Sequence, residues 1–387
     1  MYLFLISFIL VYGCMHLYAY MRLSSTFNTS PNLSRLLLFG MTCMTFLPLL
    51  IRVAESFQLS KAALYIAWPA YLWMGFIFIF VSHLIFFDAL HYSCRFALPH
   101  IFRSLPSKAF SRNICKIVLL LAATASIYAF YEAGQIRSEH VVIPSTKLPS
   151  SASRIRIVQV SDIHIGLLTQ KKRLERILEK ITAARPDILV STGDLIDGKL
   201  NRDRSISDHT SSAALLDAIK APLGKFAVLG NHEVYAGLPQ ALDFTQAAGF
   251  TILRNQAVAL PCGVTIAGTD DPAINRKGLA DPATEIALLK SIPQNVFLLL
   301  LKHRPDIVPE SDGRFDLQLS GHVHGGQIFP FNLLVKLKHP IPCGITTTKM
   351  GSSIYVSRGT GTWGPPMRLF APPEITIIDI VPRQPMK

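Results

Sequence analysis

The sequence predicts an N-terminal bundle of about four transmembrane helices followed by an α/β domain. Three observations predict this architecture: the composition is apolar, the longest apolar stretches lie near the N-terminus, and strand-like and helix-like segments alternate through the rest of the chain. Half of the 387 residues are hydrophobic and only 16% are charged. The mean hydropathy of +0.35 is too high for a chain that is a soluble enzyme throughout.

Four apolar stretches account for this composition. Residues 1–20, 36–51 and 62–87 contain no Asp, Glu, Lys or Arg, and a fourth apolar stretch covers 117–131. About 20 apolar residues cross a bilayer, and fewer suffice when flanking Lys or Arg side chains reach the interface. The first stretch lacks a basic n-region and a cleavage site, so we expect it to span the membrane rather than be removed as a signal peptide. The predicted anchor covers 1–136, with helices near 1–21, 35–52, 62–87 and 114–132.

The distribution of positive charge predicts the side of the membrane on which the second domain lies. The chain has a formal net charge of +13, and the excess within the anchor is concentrated between the third and fourth predicted helices, at Arg95, Arg103, Lys108, Arg112 and Lys116. Loops rich in Lys and Arg tend to remain cytoplasmic. The chain after Glu132 is therefore expected outside the cytoplasm of a multi-pass cell-membrane protein. These charges have no accompanying base-stacking pattern, so nucleic-acid binding is not expected.

The cysteines do not predict a disulfide framework. Four of the six, Cys14, Cys43, Cys94 and Cys115, belong to the apolar anchor and are typical of small packing residues. Only Cys262 and Cys343 lie in the second half of the chain. In an oxidising compartment they could pair, but nothing in the sequence brings them together, and two free thiols are expected.

Residues 137–153, rich in Ser and Pro, are predicted to be a linker, and residues 154–387 a single domain. Apolar and β-branched runs predict strands at 154–162, 187–192, 225–230, 264–269, 296–301, 315–320, 353–357 and 374–380. Helical spacing of apolar residues predicts helices at 171–184, 208–219, 237–248 and 281–290. Strands that alternate with helices over about 235 residues predict an α/β domain with a large sheet core.

Polar residues follow five of the predicted strands. They are Asp162 and His164, then Asp194 and Asp197, then Asn231, His232 and Glu233, then His303, and finally His322 and His324. Open α/β sheets place their functional sites at the carboxyl ends of strands. We therefore expect these side chains to meet at one edge of the sheet core.

The residue types at these strand ends favour a metal centre. Residues i and i+2 of a strand point the same way, so Asp162 and His164 are expected to bind one metal. His322 and His324 are expected to reach two metals about 3.5–4 Å apart. The carboxylate of Asp194 is suited to bridging two cations. Nitrogen and oxygen ligands without cysteine suit Zn, Mn or Fe.

Other interpretations apply to several residues taken singly. Asp197 is consistent with a helix cap, and Glu233 with a helix-start or surface residue rather than a direct role. His209 and His339 are expected at the surface. Trp363 and Arg358 fit a substrate pocket or, equally well, turn and core packing.

The ordered set Asp-x-His, Gly-Asp, Gly-Asn-His-Glu, a lone His after an apolar strand and Gly-His-x-His resembles the calcineurin-like metallophosphoesterases. The resemblance runs from residue 154 to about 380, and the segments "AGTDDP" (267–272) and "GTWGPPMRLFAPPEITII" resemble a membrane-anchored bacterial subgroup. It implies a two-sheet β-sandwich flanked by helices. It also implies that Asp162, His164 and His324 hold a first metal, that Asn231, His303 and His322 hold a second, that Asp194 bridges the two, and that His232 contacts the substrate phosphate.

The function implied is hydrolysis of a phosphomonoester, phosphodiester or pyrophosphate by two divalent metal ions (Mn, Zn or Fe) that activate a bridging hydroxide. The helices and the short linker favour a lipid-linked substrate. The apolar insert 328–342, which contains Lys336 and Lys338, is expected to be a hairpin or core segment, or else to enter the membrane interface. The alternative function is a membrane sensor or transporter whose metal domain regulates it or binds without turnover.

Overall fold

The computed structural model describes residues 2–97, 107–148, 154–169, 171–198, 209–275, 281–341 and 343–383. The chain forms two compact units. We call the first the helical unit; it comprises Met1–Glu132, Ile328–Pro330 and Gly364–Leu369. We call the second the sheet unit; it comprises Ala133–Gln327, Phe331–Trp363 and Phe370–Lys387.

Within its described residues, the helical unit contains four helices that are long and apolar enough to cross a membrane. Their bounds are Tyr2–Phe27 (α1), Pro31–Ser56 (α2), Ser60–Ala97 (α3) and Ser107–Ala133 (α4). The predicted number of apolar helices is therefore confirmed.

Helix α3 continues ten residues beyond its predicted end at 87, to Ala97. The carboxylate of Asp88, which marked the end of the apolar run, accepts hydrogen bonds from the Arg22 guanidinium at 2.8 and 2.9 Å. Pairing compensates the charge, so the helix continues through it. The basic segment expected to be a loop is in part helical, because Arg95 lies in α3 and Arg112 in α4. Arg103 lies outside the described residues.

Two short segments from the later part of the chain complete the apolar core of the helical unit. Ile328, Met367 and Leu369 are at most 6% exposed and belong to the same cluster as Phe80 of α3. The backbone N–H of Arg368 donates to the carbonyl of Ala129 in α4 at 2.8 Å. The predicted anchor, drawn at 1–136, did not include these segments.

The sheet unit contains two mixed six-stranded sheets. The order of the first is β1-β12-β2-β3-β4-β5 and that of the second is β10-β11-β9-β8-β7-β6. The strands of the first sheet are β1 (Arg137–Ser145), β2 (Ile155–Val160), β3 (Ile188–Ser191), β4 (Lys225–Ala227), β5 (Thr251–Ile252) and β12 (Glu374–Pro382). Those of the second are β6 (Gln256–Ala259), β7 (Val264–Gly268), β8 (Phe297–Leu301), β9 (Leu317–Ser320), β10 (Gly344–Thr347) and β11 (Ser353–Val356).

The two sheets share one apolar core and carry helices on their other faces. Ile157 and Val190 of the first sheet belong to the same buried cluster as Leu299 and Leu317 of the second. The flanking helices are α5 (Lys171–Ala184), α6 (His209–Asp217), α7 (Asn231–Ala236), α8 (Leu238–Ala247), α9 (Pro282–Lys290) and α10 (Phe331–Lys338). The expected two-sheet sandwich flanked by helices is confirmed.

The linker predicted over 137–153 is wrong for its first nine residues. Strand β1 occupies Arg137–Ser145 and pairs in parallel with β12, in the register Arg137↔Glu374 to Ser145↔Pro382. Because β1 is an edge strand, it can contain Pro144, which has no backbone N–H to donate to a neighbouring strand. The proline and serines of this segment suggested a linker because proline is rare inside strands other than edge strands. Residues 149–153 lie outside the described residues.

Candidate active site

The predicted site residues follow the strand ends and come together. Asp162 and His164 follow β2, Asp194 follows β3, Asn231 and His232 follow β4, His303 follows β8, and His322 and His324 follow β9. Neighbouring strands of each sheet thus deliver their polar residues to one place. Backbone hydrogen bonds join two of these loops: the N–H of Asp162 donates to the carbonyl of Gly193, and the N–H of His164 donates to that of Asp194, both at 3.0 Å.

The strand geometry expected for the Asp-x-His and His-x-His pairs is wrong. Strands β2 and β9 end at Val160 and Ser320, so all four residues lie in loops. Five candidate ligands have left-handed backbone conformations, with φ of 52° at Asp162, 53° at His164, 51° at Asp194, 70° at His322 and 51° at His324. Residues other than glycine rarely adopt this region, and it is retained where surrounding contacts hold it, often at functional sites.

The first cluster consists of Asp162, His164 and His324, whose ligand atoms all lie within 4.8 Å of one another. The two Nε2 atoms of His164 and His324 are 3.1 Å apart, and Nε2 of His324 is 3.5 Å from a carboxylate oxygen of Asp162. All three side chains are buried. Nδ1 of His164 is also buried and has no hydrogen-bond partner among the described residues.

The second cluster consists of Asp194, His303 and His322. Nε2 of His303 lies 3.1 Å from Nδ1 of His322, 3.2 Å from Oδ1 of Asn231 and 3.3 Å from Oδ2 of Asp194. Nδ1 of His303 donates to the carbonyl oxygen of Thr192 at 2.8 Å. This hydrogen bond fixes the ring and directs Nε2 into the cluster, as is usual for metal-ligating histidines.

Asp194 connects the two clusters through a single carboxylate oxygen. Its Oδ2 lies 3.3 Å from Nε2 of His303 and 4.0 Å from Nε2 of His164. The structure therefore brings together all seven residues that the sequence nominated as metal ligands. Imidazole nitrogens and carboxylate and amide oxygens in a buried site suit first-row divalent cations.

Burial and charge pairing give these groups unequal proton affinities. Burial raises the pKa of Asp162 to about 6 and lowers the pKa of His164 to about 4 and that of His322 to about 2. Burial also opposes the charge on Asp194 and on His303, but their mutual attraction outweighs it. The pKa of Asp194 is held well below its usual range, and that of His303 is raised to about 10. Neutral His164 and His322 are thus suited to donate lone pairs to a cation.

His232, the second residue of α7, lies beside the first cluster. Its backbone N–H donates to Oδ1 of Asp194 at 2.8 Å, and its Nδ1 is 3.0 Å from Oδ1 of Asp197. The His232 ring lies edge-on to the ring of His164, with centroids 4.6 Å apart, and 6.0 Å from the ring of Trp363. Burial alone would lower the pKa of His232, but the carboxylates of Asp194 and Asp197 outweigh it and raise the pKa to about 9.

Asp197 and Glu233 contact the site more directly than expected from the sequence. Glu233 does lie at a helix start, as one of the two expectations had it, but it is not a surface residue. Asp197, expected to be a helix cap, instead lies with its Oδ1 3.0 Å from Nδ1 of His232. Glu233 is 1% exposed. Its carboxylate accepts backbone hydrogen bonds from Gly230, Asp194, Leu195 and Ile196 at 2.6–3.3 Å. Glu233 lies three residues after Gly230, which is the spacing of a capping box. This spacing is the sequence signal that could have predicted its hydrogen bond to the backbone of Gly230.

The glycine before Asn231 is required for close approach rather than for a positive φ. Gly230 has φ of −100°, which any residue adopts. A Cβ on Gly230 would overlap Oδ1 of Asp194 and lie 2.8 Å from Cε1 of His303. A Cβ on Gly321, before His322, would similarly overlap Oγ of Ser161. The glycines of these motifs therefore let the loops of the two clusters pack against one another.

The structure also shows the surroundings of three further residues discussed from the sequence. His339, expected at the surface, is 7% exposed; its Nδ1 lies 3.3 Å from Asp306, and its ring centroid lies 6.0 Å from that of His322. Arg358 forms an ion pair with Glu374 at 2.6 Å, so of the two expected roles, substrate pocket or core packing, the structure supports packing. Trp363 is 46% exposed next to His232 and remains a candidate for contacting substrate.

Comparison with known proteins identifies the family. The calcineurin-like phosphoesterase family matches residues 155–326. A metallophosphoesterase of Aquifex aeolicus is 39% identical over 263 residues, which cover 68% of this chain and 98% of that protein. A metallophosphoesterase of Helicobacter pylori is 32% identical over 307 residues, covering 79% and 80%. A zebrafish (Danio rerio) transmembrane protein with a metallophosphoesterase domain is 30% identical over 276 residues, covering 68% and 61%.

The chain therefore belongs to the calcineurin-like metallophosphoesterase family, and its sheet unit is that of a metal-dependent phosphoester hydrolase. The four apolar helices together with relatives named as transmembrane proteins indicate a membrane protein.

Replacing Glu233 by Gln tests its role in holding the ligand loops. In Gln one carboxylate oxygen becomes an NH2 group, which cannot accept the two backbone N–H groups now bonded to that oxygen, so the Asp194 loop should move. We expect fewer bound metals per chain and lower hydrolysis, measured by elemental analysis and phosphatase assay. Glu285→Gln is the matched control, because Glu285 is also buried but pairs with Lys302 outside the site. Equal metal content in the two variants would contradict this role.

Proposed function

We propose that the protein is a membrane-anchored phosphoesterase that uses two divalent cations. Asp162, His164 and His324 would hold one cation. Asn231, His303 and His322 would hold the other, with Asp194 shared between the two. The observation that supports this assignment most strongly is the position of Asp194 Oδ2, which lies 3.3 Å from a ring nitrogen of one cluster and 4.0 Å from a ring nitrogen of the other.

The cations, when bound, would supply an activated water and neutralise charge on the phosphoryl oxygens. The side chain of His232 would protonate the leaving oxygen, and its raised pKa of about 9 favours the protonated ring near neutral pH. Asp197 would orient this ring through Nδ1 and leave Nε2 for the substrate. The same residues would serve a phosphomonoester, a phosphodiester or a pyrophosphate.

We also propose that the substrate is a lipid-linked phosphate and that the sheet unit lies outside the cytoplasm. The apolar helices support the first point, since they would hold the chain at a bilayer. Next to His232 lie the exposed aromatic rings of Trp363 and of Tyr235, the latter 5.5 Å from the imidazole and 68% exposed. Such rings suit an amphiphilic leaving group. The basic residues around the connection between α3 and α4 support the orientation.

Hydrolysis of bis-p-nitrophenyl phosphate in the presence of Mn, Zn or Fe tests the function. We expect the wild-type protein to hydrolyse this ester and Asp194→Asn to lose more than about 100-fold in turnover, because the shared ligand is weakened. Asp270→Asn is the control, since Asp270 pairs with Arg254 instead. Absence of metal-dependent turnover in the wild type would favour a regulatory or binding role for the metal domain.

The general-acid role of His232 predicts a dependence on the leaving group. We expect His232→Ala to retain its metals and to lose about 100-fold or more in turnover on an alkyl phosphate ester. The loss on a p-nitrophenyl ester should be much smaller, because p-nitrophenolate leaves without a proton. Asp197→Asn should likewise lower turnover of the alkyl ester more than turnover of the p-nitrophenyl ester. An equal loss on the two esters would show that His232 does not protonate the leaving group.

Cysteine labelling in intact cells tests the orientation. In a variant without the six native cysteines, a cysteine replacing the exposed Thr146 should react with a membrane-impermeant maleimide. A cysteine replacing Ser104, in the predicted cytoplasmic basic segment, should react only after permeabilisation. The reverse pattern would place the sheet unit in the cytoplasm.

A further inference from the structure

Helix α10 exposes its apolar side chains, whereas an ordinary surface helix buries them. Its large apolar side chains point outward: Phe331, Leu333, Leu334 and Leu337 are 45%, 54%, 58% and 83% exposed. At 100° per residue these four positions form one continuous face. The hairpin expected for the insert is therefore wrong, because Phe331–Lys338 is a helix with its apolar face uncovered. The expected core structure applies to Ile328 but not to this exposed face.

The inward face of α10 carries the smaller and more polar residues. Val335 packs against the apolar cluster on the outer face of the second sheet. Asn332 packs so closely on Gly326 that a Cβ at that glycine would overlap its backbone. Turning the helix over to bury its leucines would break both contacts. The exposed leucines are thus a property of the fold and require an apolar partner to be covered.

We propose that this partner is the lipid bilayer and that α10 is an interfacial membrane helix. The residues immediately before α10 support a bilayer over another protein. Ile328–Pro330 belongs to the helical unit, and Ile328 lies in the same apolar cluster as Phe80 and Ala122 of the long helices α3 and α4. The helix thus begins one residue after a segment that packs among apolar, membrane-length helices.

The charge of α10 also fits a membrane surface. The helix contains Lys336 and Lys338 in its last turn and no acidic residue. Both lysines are exposed. Lysine stems can lie along acyl chains while the ammonium groups reach anionic headgroups. Leucines on one face with lysines at the end are the composition of a helix that lies in the plane of the interface.

Both ends of α10 touch the candidate active site. Near its start, Asn332 packs on Gly326, two residues after the ligand His324. Directly after its end, buried His339 lies with its ring centroid 6.0 Å from that of His322. A helix inserted in the interface would therefore hold the metal centre at the lipid surface. This last step, which makes α10 the element that admits a lipid-linked phosphate, rests on the proposed function; insertion of the helix does not.

Spin labelling tests insertion independently of activity. A label on Leu337→Cys, in a variant without the native cysteines, would be examined in vesicles containing anionic phospholipid. We expect its relaxation to be enhanced by oxygen and protected from a water-soluble nickel chelate. A label on Met350→Cys is the matched control, because Met350 is an apolar residue of the sheet unit that is 70% exposed. It should show the reverse pattern.

Two results would overturn the proposal. One is equal access of the nickel chelate to the labels at 337 and 350, which would place α10 in water. The other is dipolar broadening between labels at 337 on different chains, which would show that a second copy covers the leucines.

A second measurement tests the link to substrate. We would compare turnover of a p-nitrophenyl hexadecyl phosphate in vesicles with that of soluble bis-p-nitrophenyl phosphate. Introducing aspartate by Leu334→Asp and Leu337→Asp should lower the ratio of the two rates by about tenfold or more, since charged side chains leave the apolar boundary. Met350→Asp should keep the wild-type ratio. An unchanged ratio in the leucine variants would contradict the substrate link. Failure of the wild type on both esters would instead contradict the proposed function, while leaving the spin-label result valid.

Discussion

The carboxylate of Asp194 lies where the two clusters of candidate ligands and the proposed general acid meet. One oxygen accepts the backbone N–H of His232, and the other lies between ring nitrogens of His303 and His164. The backbone of Asp194 is held as firmly, because its N–H donates to Glu233 and its carbonyl accepts from the N–H of His164. Displacing this one residue would disturb both metal clusters and the proposed general acid together.

The environment around Asp194 explains why the site suits cations. Asp162, Asp194 and Glu233 are buried within a few residues of strand ends, and burial raises the pKa of Asp162 to about 6 and that of Glu233 to about 7. Burial, together with repulsion from neighbouring histidines, lowers the pKa values of His164 and His322. Two divalent cations would relieve both effects at once, because they stabilise the carboxylates and use the neutral imidazoles as ligands.

Some features of the site could be predicted from the sequence, and others depend on contacts between distant parts of the chain. Strand ends and residue types predicted that these polar residues cluster at one edge, because neighbouring parallel strands end on the same side of a sheet. The full set of ligands came from the resemblance to the metallophosphoesterase family. The local geometry was not predictable, since the left-handed backbone of Asp162 and His324 depends on contacts between loops distant in sequence. The helix-start position of Glu233 was expected, but its contacts with the Asp194 loop were not predictable for a related reason: its four backbone partners come from two loops. Strand β1 and helix α10 were missed because proline and exposed leucines run against the usual patterns for an edge strand and a surface helix.

The number of metals bound by histidine variants tests the central claim most directly. In the proposed centre His322 and His324, two residues apart, bind different cations. Elemental analysis of purified protein should give two divalent metals per chain for the wild type, about one for His322→Ala or for His324→Ala, and none or nearly none for the double variant. One metal in the wild type, or the loss of both metals when either histidine alone is replaced, would contradict a centre in which each histidine holds its own cation.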